Sequence, residues 1–175
     1  MKKLLVVIDM QNDFIDGALG TPEAREMTPR LARYINEFDG GVIATLDTHH
    51  ENYLETLEGK KLPVKHCVEG TDGWRINDSV MHALTENKGF IEFIKKPTFG
   101  SFELIDKIAD IQKDIDHIEI AGLCTDICVA SNALILRAAF PDMPISVHGN
   151  LCAGVTPESH EAALTTMRMC QIDII

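Results

Sequence analysis

Six short apolar runs alternate along this chain with longer amphipathic segments, and that rotation restricts the possible folds more than any other feature. The runs cover residues 4–8, 42–46, 90–94, 118–121, 145–148 and 172–175. Between them, apolar residues return at three- and four-residue steps over residues 22–38, 101–111, 127–140 and 157–169, with a poorer helical candidate at 76–85. Thr156 followed by Pro157 marks a helix start, with the threonine as N-cap and proline in the first helical position. Strands and helices in rotation pack as βαβ units. The expected fold is therefore α/β, a doubly wound, mainly parallel sheet of about six strands with helices on both faces. The 175 residues, 45% of them hydrophobic, suffice for one domain over 1–175 with a substantial core. Residues 49–74 show no clear periodicity. A stretch of that length inside a compact domain reads as a functional loop, and its His, Glu, Pro and Gly content is unlike that of a linker.

Charge and cysteine usage narrow the partners. A formal net charge of −11 argues against nucleic acid or an anionic membrane surface, since both need clustered Lys and Arg. A small molecule is the expected ligand, and a homo-oligomer the expected assembly. Lys2-Lys3 ahead of an apolar run begins like a secretory signal, but Asp9 ends the run too early for an h-region. No apolar span is long enough to cross a bilayer. The five cysteines, at 67, 124, 128, 152 and 170, are odd in number and scattered. Free thiols in a reducing, cytoplasmic setting are expected rather than a disulfide framework.

In an open parallel sheet, ligands bind beyond the carboxyl ends of the strands, where strand order reverses. Asp9 closes the first apolar run, Asp47 the second, Lys95 and Lys96 the third, and the turn 124–128 the fourth. An acid, an acid, a base and a thiol are thus directed to one side. Cys128 falls in the first turn of a helix, where unsatisfied backbone N–H groups and the helix dipole favour the reactive thiolate. Asp9 can take the thiol proton and Lys96 can stabilise the thiolate. Without partners, such a cysteine reads as structural and the Asp9–Lys96 pair as an ordinary ion pair. Asp47 and His49 share a face of an extended segment, being two residues apart, and so form a candidate ligand pair.

Three segments carry a resemblance. Val6-Val7-Ile8-Asp9-Met10-Gln11-Asn12-Asp13-Phe14, Lys96-Pro97-Thr98-Phe99-Gly100-Ser101-Phe102 and Gly122-Leu123-Cys124-Thr125-Asp126-Ile127-Cys128-Val129 resemble, in order, the signature blocks of the isochorismatase-like cysteine hydrolases. The resemblance implies a catalytic triad of Asp9, Lys96 and Cys128. It also implies a non-proline cis peptide between Leu123 and Cys124, with the N–H groups of Cys124 and Cys128 as an oxyanion hole. Cys124 is otherwise a bystander; pairing it with Cys128 in a metal site or disulfide would consume the nucleophile.

Asp47-Thr48-His49, followed by His66, resembles the nicotinamidase branch of that family, which implies one divalent metal on Asp47, His49 and His66. Glu58 stands where one subgroup supplies a further carboxylate, and Cys67 is the next candidate if Glu58 is not a ligand. Two imidazoles and two carboxylates suit zinc, iron or manganese, with zinc the expected ion. His50 is expected to point away. Phe14, Leu62 and Phe99 occupy the positions of the substrate wall, and Leu62 departs from the Trp or Phe common there. The expected activity is hydrolysis of nicotinamide to nicotinate and ammonia through a Cys128 thioester. An isochorismatase or another small-molecule amidase of the same fold is the alternative, and a non-catalytic binding member a further one. Asp47, His49 and His66 count against an isochorismatase, and an intact Asp9, Lys96 and Cys128 against loss of catalysis.

Overall fold

In the computed structural model, which describes residues 2–175, the apolar runs lie in one sheet. Its strands are β1 (Lys3–Ile8), β2 (Gly41–Asp47), β3 (Ile91–Lys96), β4 (His117–Leu123), β5 (Ile145–Ala153) and β6 (Asp173–Ile174). All five neighbouring pairs are parallel, in the order β3-β2-β1-β4-β5-β6. Chain order therefore runs outward from β1 in one direction and outward from β4 in the other, which makes the β1/β4 boundary the switch point.

The helices are α1 (Asn12–Ile15), α2 (Pro22–Glu37), α3 (Leu57–Lys61), α4 (Asp78–Glu86), α5 (Phe102–Ile111), α6 (Ala130–Ala139) and α7 (Pro157–Met169). Side-chain caps start several of them: Thr21 accepts from the Ala24 N–H, Ser101 from Leu104, and Thr156 with Ser159 forms a capping box. Alternation along β1 feeds two cores. Leu5 and Val7 join Met27, Leu31 and Ile35 of α2 and Val80 and Leu84 of α4, whereas Leu4, Val6 and Ile8 join Leu104, Leu136 and Leu164 of α5, α6 and α7. Among the described residues, no helix is long and apolar enough to cross a membrane.

Local departures from the expectation have physical causes. The stretch 49–74 is not wholly irregular: it holds a 3-10 turn (Tyr53–Glu55) and α3, each too short to show periodicity. The fourth helix starts at Asp78 rather than 76, because Asn77 caps it and Ile76 bridges to Gln11 instead. The helix expected over 127–140 opens earlier, with a π-helical turn over Thr125–Val129 ahead of α6. β5 runs past 148 to Ala153 because its register against β4 jumps from Ile120↔Val147 to Gly122↔Cys152, absorbing a bulge. At the switch point Gly122 has φ +126°, and a Cβ there would stand 2.1 Å from the Ile8 carbonyl oxygen. Only glycine allows β1 and β4 to approach so closely.

Candidate active site

The end of β1 turns sharply: Asp9 is fully buried with φ +47°, a conformation Asp tolerates better than most residues. Its Oδ1 accepts a 2.7 Å bond from the Thr45 hydroxyl of β2. Lys96, the last residue of β3, reaches the same point from the sheet's edge and is 1% exposed. Its Nζ donates to Asp47 Oδ1 at 3.2 Å, to the Thr98 carbonyl at 3.0 Å and to Cys128 Sγ at 3.4 Å. Nζ also lies 2.6 Å from Asp9 Oδ2, an ion pair buried at both ends. Cys128 arrives from the far side of the switch point, on the π-helical turn after β4, and is 5% exposed. The peptide between Leu123 and Cys124 is cis.

Burial decides the protonation states here. It pushes the Asp9 carboxyl above its usual range, and the Lys96 charge only partly offsets it. It pushes the Cys128 thiol well above the ordinary thiol range, with Asp9's negative charge adding to the rise and Lys96 opposing it. The Lys96 ammonium stays charged, because desolvation is outweighed by Asp9, Cys128 and Asp47 around it. In the free site these directions leave Cys128 a thiol, with Asp9 the carboxylate that adds to the rise.

The second constellation forms on the β2 side. Asp47 ends the strand, and two residues on His49 pairs its backbone with the 67–69 segment, its N–H bonding the Cys67 carbonyl at 2.9 Å. That pairing brings in His66. One ligand atom each from Asp47, His49 and His66 lies within 4.8 Å of the others. Asp47 Oδ2 is 3.0 Å from His49 Nε2 and 3.6 Å from His66 Nε2, and Glu58 Oε1 is 3.6 and 3.8 Å from the same nitrogens. His66 Nδ1 meets the Val64 carbonyl at 2.9 Å, which makes Nδ1 the protonated nitrogen and leaves the Nε2 lone pair for a ligand. His49 Nε2 is buried without a hydrogen-bond partner. Converging lone pairs, an orphaned imidazole nitrogen and two carboxylates make a donor set that fits one divalent cation. Burial raises the Asp47 carboxyl, but His49, His66 and Lys96 together bring it below the usual carboxylate range, so this ligand is ionised. Glu58 is pushed up, chiefly by burial. His50 points to solvent, its side chain 72% exposed, and Cys67 is a buried thiol kept protonated by burial and by Asp47.

Between the two constellations lies a cavity of about 230 Å³. Phe14, Leu19, Leu62, Phe99, Ile127 and Val155 form its walls, and Cys128, Asp47, Glu58 and His66 all face it. The volume lies below the ~300 Å³ at which pockets begin to take drug-sized ligands, so the occupant is small. Leu19, Ile127 and Val155 carry no sequence signal for this role, because each reaches the cavity from a separate loop or turn. Gln11 is the other residue that sequence reasoning passes over. It is fully buried; its Nε2 donates to the Asp47 and Trp74 carbonyls, both at 2.8 Å, and its Oε1 accepts from the Asp47 N–H at 2.7 Å.

Residues 3–175 match the isochorismatase domain family. The chain is 26% identical over 187 residues to the nicotinamidase/pyrazinamidase of Mycobacterium tuberculosis, covering 99% of this chain and 98% of that protein. It superposes on the crystal structure of nicotinamidase/pyrazinamidase from Bacillus subtilis with a TM-score of 0.81 at 27% identity, over 99% of each chain. The pyrazinamidase of Pyrococcus horikoshii, solved in complex with zinc, gives a TM-score of 0.78 at 25% identity, over 100% of this chain and 99% of that one.

Proposed function

The chain belongs to the isochorismatase family, and we propose that within it this protein is a metal-dependent amidase that converts nicotinamide to nicotinate and ammonia through a thioester on Cys128. The observation that carries this reading is that one small apolar cavity is faced both by the Cys128 thiol and by the metal donors Asp47, Glu58 and His66. A flat ring with a carboxamide at one edge spans the two.

Asp47, His49, Glu58 and His66 would hold the cation, zinc in this reading with iron and manganese as chemical equivalents. When bound, it supplies a Lewis-acid contact that fixes the ring nitrogen and so orients the amide. Phe14, Leu62 and Phe99 pack the ring and exclude water. Asp9 Oδ2 takes the Cys128 proton as Sγ attacks the carboxamide carbon, and the N–H groups of Cys124 and Cys128 receive the developing oxyanion. Collapse breaks the C–N bond, with Asp9 passing its proton to the departing ammonia. Asp9 then deprotonates a water that cleaves the thioester, releasing nicotinate and returning the proton to Cys128. Lys96 stays charged throughout and balances whichever of its acidic neighbours is ionised.

One feature favours a second reading: Leu62 is 37% exposed at the rim and slim for a ring wall, which suits a wider range of amides. Ammonia release from nicotinamide, pyrazinamide and benzamide, each with and without a strong chelator, separates the two. Pyrazinamide keeps the ring nitrogen and should be hydrolysed. Benzamide lacks it and should be slower by more than the roughly 10–200-fold that apolar pockets achieve, up to about 10⁴-fold. Equal kcat/KM for benzamide and nicotinamide would replace this reading with the broader amidase, and full activity in chelator would remove the metal from it.

A further inference from the structure

The nucleophile turn is held from outside the cavity by the start of α7. Thr125, the first residue of the π-helical turn, is fully buried, and its Oγ1 lies 2.8 Å from His160 Nδ1. The next residue, Asp126, accepts from the Val155 N–H at 3.1 and 3.3 Å through its two carboxylate oxygens. Two consecutive residues of the turn are thus tied to two positions flanking the start of one helix. His160 is itself well fixed. Its N–H bonds the Thr156 carbonyl at 3.0 Å, in a helix start closed by the Thr156–Ser159 capping box. Gly154 lets the chain just after β5 close on the first turn of α7, because a Cβ there would stand 2.9 Å from both the His160 Cβ and its backbone nitrogen. His160 does not face the substrate cavity; it lines a separate cleft with Glu23, Arg30 and Cys152. Val155, by contrast, is part of the cavity wall.

We propose that His160 is a positioning residue for the nucleophile: its bond to Thr125, with the Val155–Asp126 bond beside it, fixes the turn that aims Cys128 at the substrate carbon. The hydroxyl and the imidazole nitrogen can each donate or accept, so the bond survives either ring tautomer. Without it, Thr125 has a buried hydroxyl lacking this partner and the turn is tied to α7 at one point instead of two. A reacting atom displaced by as little as 1 Å loses about 100-fold in rate. The loss should therefore fall on kcat and spare KM, because the metal donors and the ring-packing Phe14, Leu62 and Phe99 lie outside the turn.

The test compares His160→Ala, His160→Asn and Thr125→Val in the metal-loaded protein. Hydrogen exchange followed by mass spectrometry needs no substrate. His160→Ala should raise amide exchange in residues 124–128 by about 10-fold or more while leaving β1 unchanged. Asn, which carries a polar atom close to the Nδ1 position, should restore protection. With nicotinamide, His160→Ala and Thr125→Val should each lower kcat by about 10-fold or more with KM within about 2-fold. The double variant should be no worse than either single, as expected when both remove one bond. This kinetic arm rests on the nicotinamide reading and the exchange arm does not. A wild-type protein without nicotinamide turnover overturns only that reading, and the exchange result still decides the brace. Wild-type exchange at 124–128 in His160→Ala, or an Asn variant as unprotected as the Ala one, overturns the brace whatever the substrate.

Discussion

At the scale of single residues, the site is governed by how little water reaches it. Lys96 is a buried ammonium with two carboxylates and a thiol around it. Its presence was legible from the sequence, as were Asp9 and Cys128, because all three stand at strand ends or in distinctive local blocks. The protonation state of the thiol was not, since desolvation is a property of the packed site. Because the proposed mechanism needs Asp9 ionised to accept a proton, and burial holds its carboxyl above the ordinary range, kcat/KM measured with saturating metal should fall on the acid side at a pH above the usual carboxylate value of about 4. An acid limb at or below that value would remove Asp9 as the base. Cys128→Ala should abolish turnover while unfolding within about 1 kcal/mol of wild type, as it trims one atom from a small buried side chain. Cys128→Ser should also be inactive, since a hydroxyl is the weaker nucleophile. Residual wild-type rates in the Ala variant would remove the thioester route.

At the scale of elements, the short segment after β1 clamps the metal-donor stretch. Gln11 holds Asp47 and Trp74, the Asn12 N–H bonds the Arg75 carbonyl at 3.0 Å, and Asp13 Oδ2 accepts from the Cys67 N–H at 2.8 Å, one residue from His66. This order comes from residues far away in sequence, which is why 49–74 looked unstructured and why Glu58 and His66 rested on resemblance alone. Asp47 and His49 were legible by themselves, through the two-residue period of extended chain. A Cβ at Gly73 would stand 2.2–2.4 Å from the Asp13 carboxylate. Gly73→Ala should therefore displace Asp13, release the Cys67 N–H and weaken metal binding by roughly 10–100-fold, the range seen when outer-shell partners are lost. Competition against a calibrated chelator measures it. An unchanged metal affinity would show that the clamp does not hold His66 in place.

At the scale of the molecule, the apolar runs and their rotation with helices were enough to predict a parallel α/β sheet. The bulge in β5 was not legible, because Gly149 and Asn150 break the apolar pattern and read as the end of a strand. Away from the catalytic rim, Glu119 of β4 binds Lys3 Nζ of β1 at 3.0 Å, His148 Nε2 of β5 at 2.7 Å and the Tyr34 hydroxyl of α2. Burial alone would raise this carboxyl, but those three partners bring it down to about 2. A depressed folded-state value stabilises the protein above the unfolded value, near 4.5, and that contribution is lost as pH falls toward 2. Glu119→Gln should thus cost on the order of 3 kcal/mol near neutral pH, with the gap to wild type closing below about pH 4.5. Urea unfolding across that range tests it; a gap independent of pH would mean that the carboxylate's charge contributes nothing. The metal-donor cluster and the Lys96 cluster meet chemically at Asp47, which gives one oxygen to Lys96 and the other to His49 and His66. Stripping the cation with a chelator leaves that carboxylate beside Lys96, whereas replacing Asp47 takes away one of the ammonium's two counter-charges as well. The two preparations are different reference states, and the difference between their thiol reactivities isolates how far the chemistry of one cluster is heard in the other.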